Sequence, residues 1–517
     1  MRKDSSGHKS FRRVLIPNRG EIALRIIRTL RELELESVLL YAPDDRFGLA
    51  LRYADYAWPL KGQTVAETYL NIPAICEAIV ASGADAVHPG YGFLSESPEF
   101  CQAVTECGAV FIGPSAESMT LMGNKIEARR LMQAQGIPVV PGSPGPVESV
   151  AELRQLAKDC AYPLILKAAA GGGGRGMRIV RSDAELEPAL RACRHEALSW
   201  FGNDAVFCER YIENPRHIEV QILRDHEGHG VHLFERDCSI QRRHQKLFEE
   251  APSAYLNEAQ RESMGAIALK AAAASAYTGA GTVEFICAAP DQAWFMEMNA
   301  RIQVEHTVTE QITGKDLIRE QILIAQGHPL AFSQADLSIR GWSMEARINC
   351  EDPFAGFMPV PGRAEEVTLA EGPGIRTDTA VYPGYEIPAG YDSMIAKLIV
   401  SAESRNEAIR RMKRALAECH FGSLTTTIPF HSALLCHERF ISGHFDTHFC
   451  QNEESSLKNS LSDIGHFPDS DAMAIAALAV MADHSGEALL TRPDARIGGE
   501  REAWKDAALR EQTHQSY

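Results

Sequence analysis

Four short apolar runs, Val14–Pro17, Ser37–Tyr41, Ala84–His88 and Ala109–Ile112, govern what the N-terminal part of this 517-residue chain can become. Each is bounded by turn residues such as Asn18, Asp44 and Gly113, which marks short buried strands. Between the first two lies Glu21–Glu34, whose Ile22, Ile26, Leu30 and Leu33 recur at helical spacing. A βαβαβ series of this kind predicts an α/β fold with a doubly wound sheet and a site at the strand C-terminal ends. Asn18-Arg19-Gly20 and His88-Pro89-Gly90-Tyr91-Gly92 fall there. Neither is a G-x-G-x-x-G fingerprint, which argues against a nicotinamide cofactor.

The rest of the chain is organised differently. Ile137–Gly142 is an extended connector, because each of its prolines biases the preceding residue away from helix. A small α/β lobe follows: strand Leu164–Lys167, a glycine loop, strand Met177–Arg181, a helix, and strand Val206–Tyr211. Long antiparallel strands (Ile218–Leu223, Val231–Arg236) and a helix around Glu258–Tyr277 precede a hairpin at Gly281–Asn299. A further lobe spans Gly341–Cys450, then a polar stretch, an alanine-rich helical segment Asp471–Met481 and a charged tail. Such a length implies three or so domains. The net charge of −17 argues against a nucleic-acid partner held by a broad basic face. No segment is apolar enough to span a membrane. Residues Met1–Ser10 read as a disordered lead-in and not as a signal peptide. Twelve scattered cysteines without a C-x-x-C pair suit reduced thiols in a cytoplasmic enzyme.

Two constellations carry chemistry. Lys167-Ala-Ala-Ala-Gly171-Gly-Gly-Gly174-Arg-Gly176 joins two apolar strands, and four successive glycines let the backbone close over a polyphosphate with N–H groups aimed at it. A flexible linker is the competing reading, and the absence of G-x-x-x-x-G-K-[ST] disfavours the P-loop class. The hairpin is the stronger signal. Its strands Thr282–Cys287 and Trp294–Met298 each hold one carboxylate, Glu284 and Glu297, equidistant from the centre of the turn Ala289-Pro290-Asp291-Gln292. Opposed strand residues have Cβ atoms about 5 Å apart, where like charges repel. Two carboxylates there call for a divalent cation, with Asn299 two residues on as a third oxygen donor and Mg²⁺ or Mn²⁺ as the ion. A solvated hairpin face is the alternative. Downstream, an extended chain would alternate Asn299, Arg301, Gln303 and Glu305 onto one side, offering a cation, a neutral donor and a base to a small planar anion such as bicarbonate. Gln241-Arg242-Arg243-His244-Gln245-Lys246 is basic but set among Glu235, Asp237, Glu249 and Glu250, which suits phosphate or oxyanion contacts better than nucleic acid. His217 is ambiguous alone.

In order along the chain, I-P-N-R-G-E-I-A-L-R-I, H-P-G-Y-G-F-L-S-E, F-I-G-P-S, M-G-N-K, the glycine loop, N-P-R-H-I-E-V-Q, E-R-D-C-S-I-Q-R-R-H-Q-K, E-M-N-A-R-I-Q-V-E-H, R-I-N-C-E-D-P and Y-D-S-M-I-A-K-L resemble the biotin carboxylase family, of the ATP-grasp fold, from about Phe11 to Cys450. The resemblance implies a doubly wound N-terminal (pre-ATP-grasp) domain over 11–123, an ATP-grasp domain over 124–335 with a mobile lid lobe at about 143–212, and a C-terminal α+β domain over 340–450. Residues 451–517 form an extension suited to docking partners or to a solvated tail. It implies that Lys125 and Lys167 hold ATP phosphates under a lid containing Gly173 and Gly174. Glu209, Tyr211 and Ile212 correspond to the adenine-binding hinge, and His217, Gln241 and His244 to further ATP contacts. Glu284, Glu297 and Asn299 match the metal ligands, for two ions. Lys246, Arg301, Gln303 and the Val304 backbone match the bicarbonate site, Glu305 the general base, and Arg347 the group that stabilises the biotin enolate.

The chain departs from the family pattern at Ala169, Ala170, Ala300, Thr307 (frequently Pro) and Thr426-Thr427. Its one Met-Lys, Met412-Lys413, is followed by Arg414 and lacks the carrier motif. Biotin is therefore expected on a separate carrier protein, with a carboxyltransferase as the second partner and a homodimer as the assembly. Another ATP-grasp ligase forming an acyl phosphate, or a non-catalytic scaffold, are the rival readings.

Overall fold

Why the N-terminal runs form parallel strands is visible in their burial. In the computed structural model, which describes residues 2–3, 9–169 and 176–464, Val14, Leu15, Ile16, Val38 and Leu40 are all at most 1% exposed. Strands β1 (Arg13–Ile16), β2 (Glu36–Tyr41), β3 (Tyr56–Pro59), β4 (Ala86–Val87) and β5 (Val110–Phe111) form one parallel sheet in the order β3-β2-β1-β4-β5. Helix α1 (Gly20–Glu32) makes the first crossover. The strand order reverses between β1 and β4, and there Asn18 Nδ2 donates to the carbonyls of Pro89 and Tyr91 at 2.7 and 2.8 Å. The two loops singled out in the sequence are thus stapled together. Gly90 adopts φ 64°, and a Cβ on it would meet Asn18 Nδ2 at 3.0 Å, so this close approach depends on glycine. Strand β3 was not anticipated: it is an edge strand with exposed residues and a terminal proline, so it lacks a buried-strand pattern. Within the expected lead-in, Arg2–Lys3 pairs with Lys9–Ser10.

After helix α2 (Lys125–Ala134), capped by the Asn124 side chain, comes the small lobe. Strands β6 (Leu164–Ala168), β7 (Met177–Val180) and β8 (Val206–Arg210) form an antiparallel sheet in the order β8-β6-β7. Helices α3 (Val150–Cys160) and α4 (Leu186–Phe201) close over Leu153, Leu164, Leu166, Val180 and Leu186. The four successive glycines 171–174, Gly173 and Gly174 included, lie outside the described residues, as does Asp471–Met481.

Eight antiparallel strands make the central sheet: β9 (Arg216–Arg224), β10 (Gly230–Arg242), β11 (Gln245–Ala251), β12 (Gly279–Ala289), β13 (Gln292–Asn299), β14 (Trp342–Asn349), β15 (Ile375–Thr379) and β16 (Met394–Ala402). Their order is β13-β12-β9-β10-β11-β14-β16-β15, so the lobe after Gly341 continues the same sheet through the β11–β14 pair. One face carries Ile218, Val220, Val283, Phe285 and Met298 against helix α5 (Glu258–Ala274), whose start is a capping box of Asn257 and Gln260. Each such burial contributes about 1.5–3 kcal/mol, so this face secures the sheet. The alternate residues point to the other face, which helix α6 (His306–Thr313) covers. Glu219, Glu284 and Glu297 are among them. Residues 1–459 form one compact unit; of a second, 460–517, only the end of helix Glu454–Ile464 is described.

Candidate active site

Strand register assembles the charged face. Glu284 on β12 stands opposite Glu297 on β13 and, on its other side, opposite Glu219 on β9, which in turn faces Arg236 on β10. Two irregularities in the β12–β13 ladder, one after Glu284 and one at the turn, offset each other, so the symmetric placement of 284 and 297 survives. Three carboxylates in a row would repel. The structure answers with Lys246, whose Nζ donates to Glu219 (2.5 Å), Glu284 (2.9 Å) and Glu305 (2.7 Å). Burial favours the neutral forms of these groups, but their mutual attraction outweighs it: the Lys246 pKa is raised well above its ordinary value and those of Glu219 and Glu284 fall well below theirs. His217 lies 3.4 Å from Glu284 and 3.6 Å from Glu219; burial opposes its charge, yet these carboxylates lift its pKa to about 9.

Glu305 is shared. Its Oε1 accepts from Lys246 and its Oε2 from Arg347 at 3.0 Å, while Arg347 also donates to Glu249 at 2.6 Å. Burial raises the Glu305 pKa, but Lys246 and Arg347 prevail and hold it below the usual carboxylate range. Gln303 donates to Glu284 (2.9 Å) and accepts from Arg236 (3.0 Å), a fully buried guanidinium that also reaches Glu219, Gln221, Thr282 and Thr309. Asn299 Nδ2 donates to the same Glu284 oxygen at 2.9 Å.

The run after Asn299 does not stay extended. It bends at residues 300–301 and turns at 304–305, His306 N donating to Gln303 O, and α6 begins there. Gln303 and Glu305 still converge on the cluster because the turn carries them inward, whereas Arg301 pairs with Glu96 at 2.9 Å. The Ala300 N–H donates to the same Glu96 carboxylate at 2.9 Å. The Val304 carbonyl accepts from Lys397 Nζ at 3.1 Å.

The remaining candidates sit around this core. Lys125, first residue of α2, pairs with Glu297 at 3.0 Å; burial lowers its pKa, but Glu297, Glu284 and Glu209 raise it overall. Lys167 on β6 donates to Glu209 on β8 at 2.6 Å, and Arg129 of α2 donates to the other oxygen of that carboxylate. Tyr211 bonds His448 through its hydroxyl at 2.8 Å, and Ile212 is buried beside it. Gln241 is buried in β10, opposite Lys246 in register. His244 lies exposed at the β10–β11 turn, where it and Arg243 take positive φ, outside the ion-pair cluster.

Sequence reasoning passed over Glu96, Glu219, Arg236, Glu249, Glu345 and Lys397. Lys397 carries the signal that marked Glu284, an isolated charge within an apolar strand, while Glu219 shares the strand parity of His217 and Glu345 that of Arg347. The donor set also bears on a metal. Glu284 and Glu297 are opposed, each already drawing a cation, and the Asn299 amide is adjacent. Such an oxygen set suits a hard divalent ion. The ligand atoms of His217, Glu219 and Glu284, like those of Glu219, Cys238 and Glu305, also lie within 4.8 Å of one another.

An antiparallel sheet with opposed carboxylates, flanked by lysines from a neighbouring helix and a small lobe, defines an ATP-grasp ligase. Residues 10–119 match the family model of the biotin carboxylase N-terminal domain, 124–333 that of the carbamoyl-phosphate synthase L chain ATP-binding domain, and 345–452 that of the biotin carboxylase C-terminal domain. The chain is 50% identical over 442 residues to biotin carboxylase 1 of Bacillus subtilis, covering 85% of this chain and 98% of that one. It is likewise 50% identical over 441 residues to the biotin carboxylase of a Nostoc species, covering 85% and 99%. Among solved structures, the biotin carboxylase domain dimer of Hydrogenobacter thermophilus 2-oxoglutarate carboxylase, with MgADP, ADP and bicarbonate, superposes with a TM-score of 0.83 at 44% identity, covering 87% of this chain and 99% of that one. A Campylobacter jejuni biotin carboxylase–β,γ-ATP complex gives 0.83 at 44% identity, covering 86% and 99%. The chain belongs to the biotin carboxylase family and is an ATP-dependent enzyme that carboxylates biotin. Among the described residues no helix is long and apolar enough to cross a membrane.

Proposed function

We propose that the chain catalyses the first half-reaction of a multi-component carboxylase: bicarbonate is activated with ATP, and the carboxyl group passes to biotin on a separate carrier protein. The observation that carries this reading is the convergence of Lys246 and Arg347 on Glu305, which sets two cations against an ionised base. Glu305 takes the bicarbonate proton, and the resulting anion attacks the γ-phosphorus of ATP to give carboxyphosphate and ADP. Lys125 and Lys167 take the phosphate oxygens, Lys167 exchanging the Glu209 carboxylate for them. Lys246, Arg301, Gln303 and the Val304 backbone hold the bicarbonate. The Glu209–Ile212 segment, His217, Gln241 and His244 hold the rest of the nucleotide as the small lobe, with Gly173 and Gly174, closes to exclude water. Carboxyphosphate breaks to CO₂ and phosphate, the phosphate accepts the biotin N1′ proton, and Arg347 holds the enolate that captures CO₂. Mg²⁺ or Mn²⁺ on Glu284, Glu297 and Asn299 would neutralise phosphate charge.

A separate carrier is supported by Met412-Lys413, which lies inside helix Arg405–Glu418 with Met412 fully buried and so cannot present biotin. A carboxyltransferase is the second partner, and the dimeric Hydrogenobacter thermophilus domain supports a homodimer. The test is bicarbonate-dependent ATP cleavage with and without free biotin, where stimulation is expected and none at all sinks the reading. Glu305→Gln should lower turnover about 10²–10⁴-fold while nucleotide binding persists; wild-type turnover would remove Glu305 as the base.

A further inference from the structure

A second carboxylate pair lies behind Arg347 and has no part in the chemistry above. Glu249 on β11 and Glu345 on β14 are direct cross-strand partners, and both are fully buried. Two ionised carboxylates cannot sit opposed in this way without a cation between them. Arg347 serves only one of them, donating to Glu249 Oε1 at 2.6 Å. Glu345 Oε2 accepts from the Thr307 hydroxyl. The remaining two oxygens, Glu249 Oε2 and Glu345 Oε1, are buried and have no hydrogen-bond partner among the described residues. Buried polar atoms are rarely left so. One proton on the pair removes the repulsion and supplies a donor where these oxygens have none.

We propose that Glu249 and Glu345 share one proton at neutral pH, and that the chain Thr307–Glu345–Glu249–Arg347 is a positioning device for the Arg347 guanidinium. The chain closes on itself, because Arg347 also donates to Glu305, two residues before Thr307. Thr307 is one of the positions where this sequence departs from its family, and its hydroxyl supplies the first donor of the series.

The surroundings favour a single proton. Lys397, opposite Arg347 in register, is the other cation near Glu345, but it is bonded to the Val304 carbonyl and lies 3.3 Å from Glu21 and 3.9 Å from Asp378. Lys246 is held by Glu219, Glu284 and Glu305. His431 bonds the Arg347 carbonyl, and burial drops its pKa to about 4, so it brings no charge at neutral pH. His306 from α6 is likewise held neutral by burial and by Lys397. Burial lifts the pKa of both Glu249 and Glu345 above the usual carboxylate range.

The inference rests on the reading of Arg347 as the enolate-stabilising group, and its test separates the two. Infrared spectra of the full chain at neutral pH should show a protonated-carboxyl stretch that shifts in D₂O, fades at alkaline pH and is missing in Glu345→Gln. A band of equal intensity in the wild type and the variant, or none in the wild type, overturns the shared proton whatever Arg347 does. In biotin-dependent turnover, the wild type should lose activity on the alkaline side as the proton leaves. In Glu345→Gln the amide cannot deprotonate, so that limb should move up by about one pH unit or more. Thr307→Val should also move it upward, because the hydroxyl stabilises the ionised carboxylate. An alkaline limb at the wild-type pH in both variants overturns the positioning role. Arg347→Lys with undiminished biotin stimulation would instead overturn the reading of Arg347, leaving the infrared result to decide the proton.

Discussion

The parallel N-terminal sheet and the central antiparallel sheet bury comparable strands on opposite terms. In the first, both faces are apolar: Leu15 and Leu40 pack to one side, Ile16 and Leu39 to the other. In the second, one face is apolar while the other carries Glu219, Glu284, Lys246, Arg236 and Arg347, with Glu305 beside them at the start of α6. Apolar burial is self-sufficient and nearly indifferent to which neighbour is supplied. A buried charge is tolerable only with its partner in place, so removing one member exposes the full desolvation cost of the others. The charged face therefore specifies geometry at the expense of stability, and the apolar layers beneath it offset that cost.

Three substitutions press on this difference. The largest effect is expected for Lys246→Met, which leaves three buried carboxylates without their common cation. Stability should fall by about 3–5 kcal/mol and bicarbonate-dependent ATP cleavage should vanish; a thermal melt and a turnover assay on the same preparation measure both. Full activity would show that Glu219, Glu284 and Glu305 do not depend on this ammonium. Phe100→Ala, in the core beside the parallel sheet, should cost a similar 3–5 kcal/mol by denaturant unfolding but leave the kcat of the folded fraction intact. A kcat loss exceeding tenfold would show the two regions are coupled more tightly than their packing implies. The smallest change is expected for Asn124→Ala, which removes the side-chain acceptor of Ile126 N and Glu127 N at the start of α2. About 1 kcal/mol of stability should be lost, with a modest rise in the KM for ATP because Lys125 is the next residue. An unaltered melt would mean water replaces the cap.

Legibility in the sequence follows the same division. The strands of the parallel sheet announce themselves because burial on both faces leaves continuous apolar runs, and only the exposed edge strand Tyr56–Pro59 escapes notice. Glu284 and Glu297 are legible because a hairpin is a local structure whose register follows from its turn. Arg236 and Glu249 are not, since their partners Gln303 and Arg347 lie 67 and 98 residues away. Arg301 shows the limit from the other side. Alternation along an extended strand would have aimed it with Gln303 and Glu305, but the chain bends at residue 300 and Glu96, from a loop 205 residues earlier, claims its guanidinium.

By itself the sequence determined the parallel βαβ layer, the carboxylate hairpin and, through ordered motifs, the family, because these rest on periodicity and on contacts close along the chain. Only the tertiary structure decided that one ammonium serves three carboxylates, that the sheet continues past Gly341, and that Thr307, Glu345 and Glu249 stand in line behind Arg347. Those arrangements depend on which distant strands pair and in what register, and Coulomb and hydrogen-bond energies at about 3 Å act only after the strands have been placed.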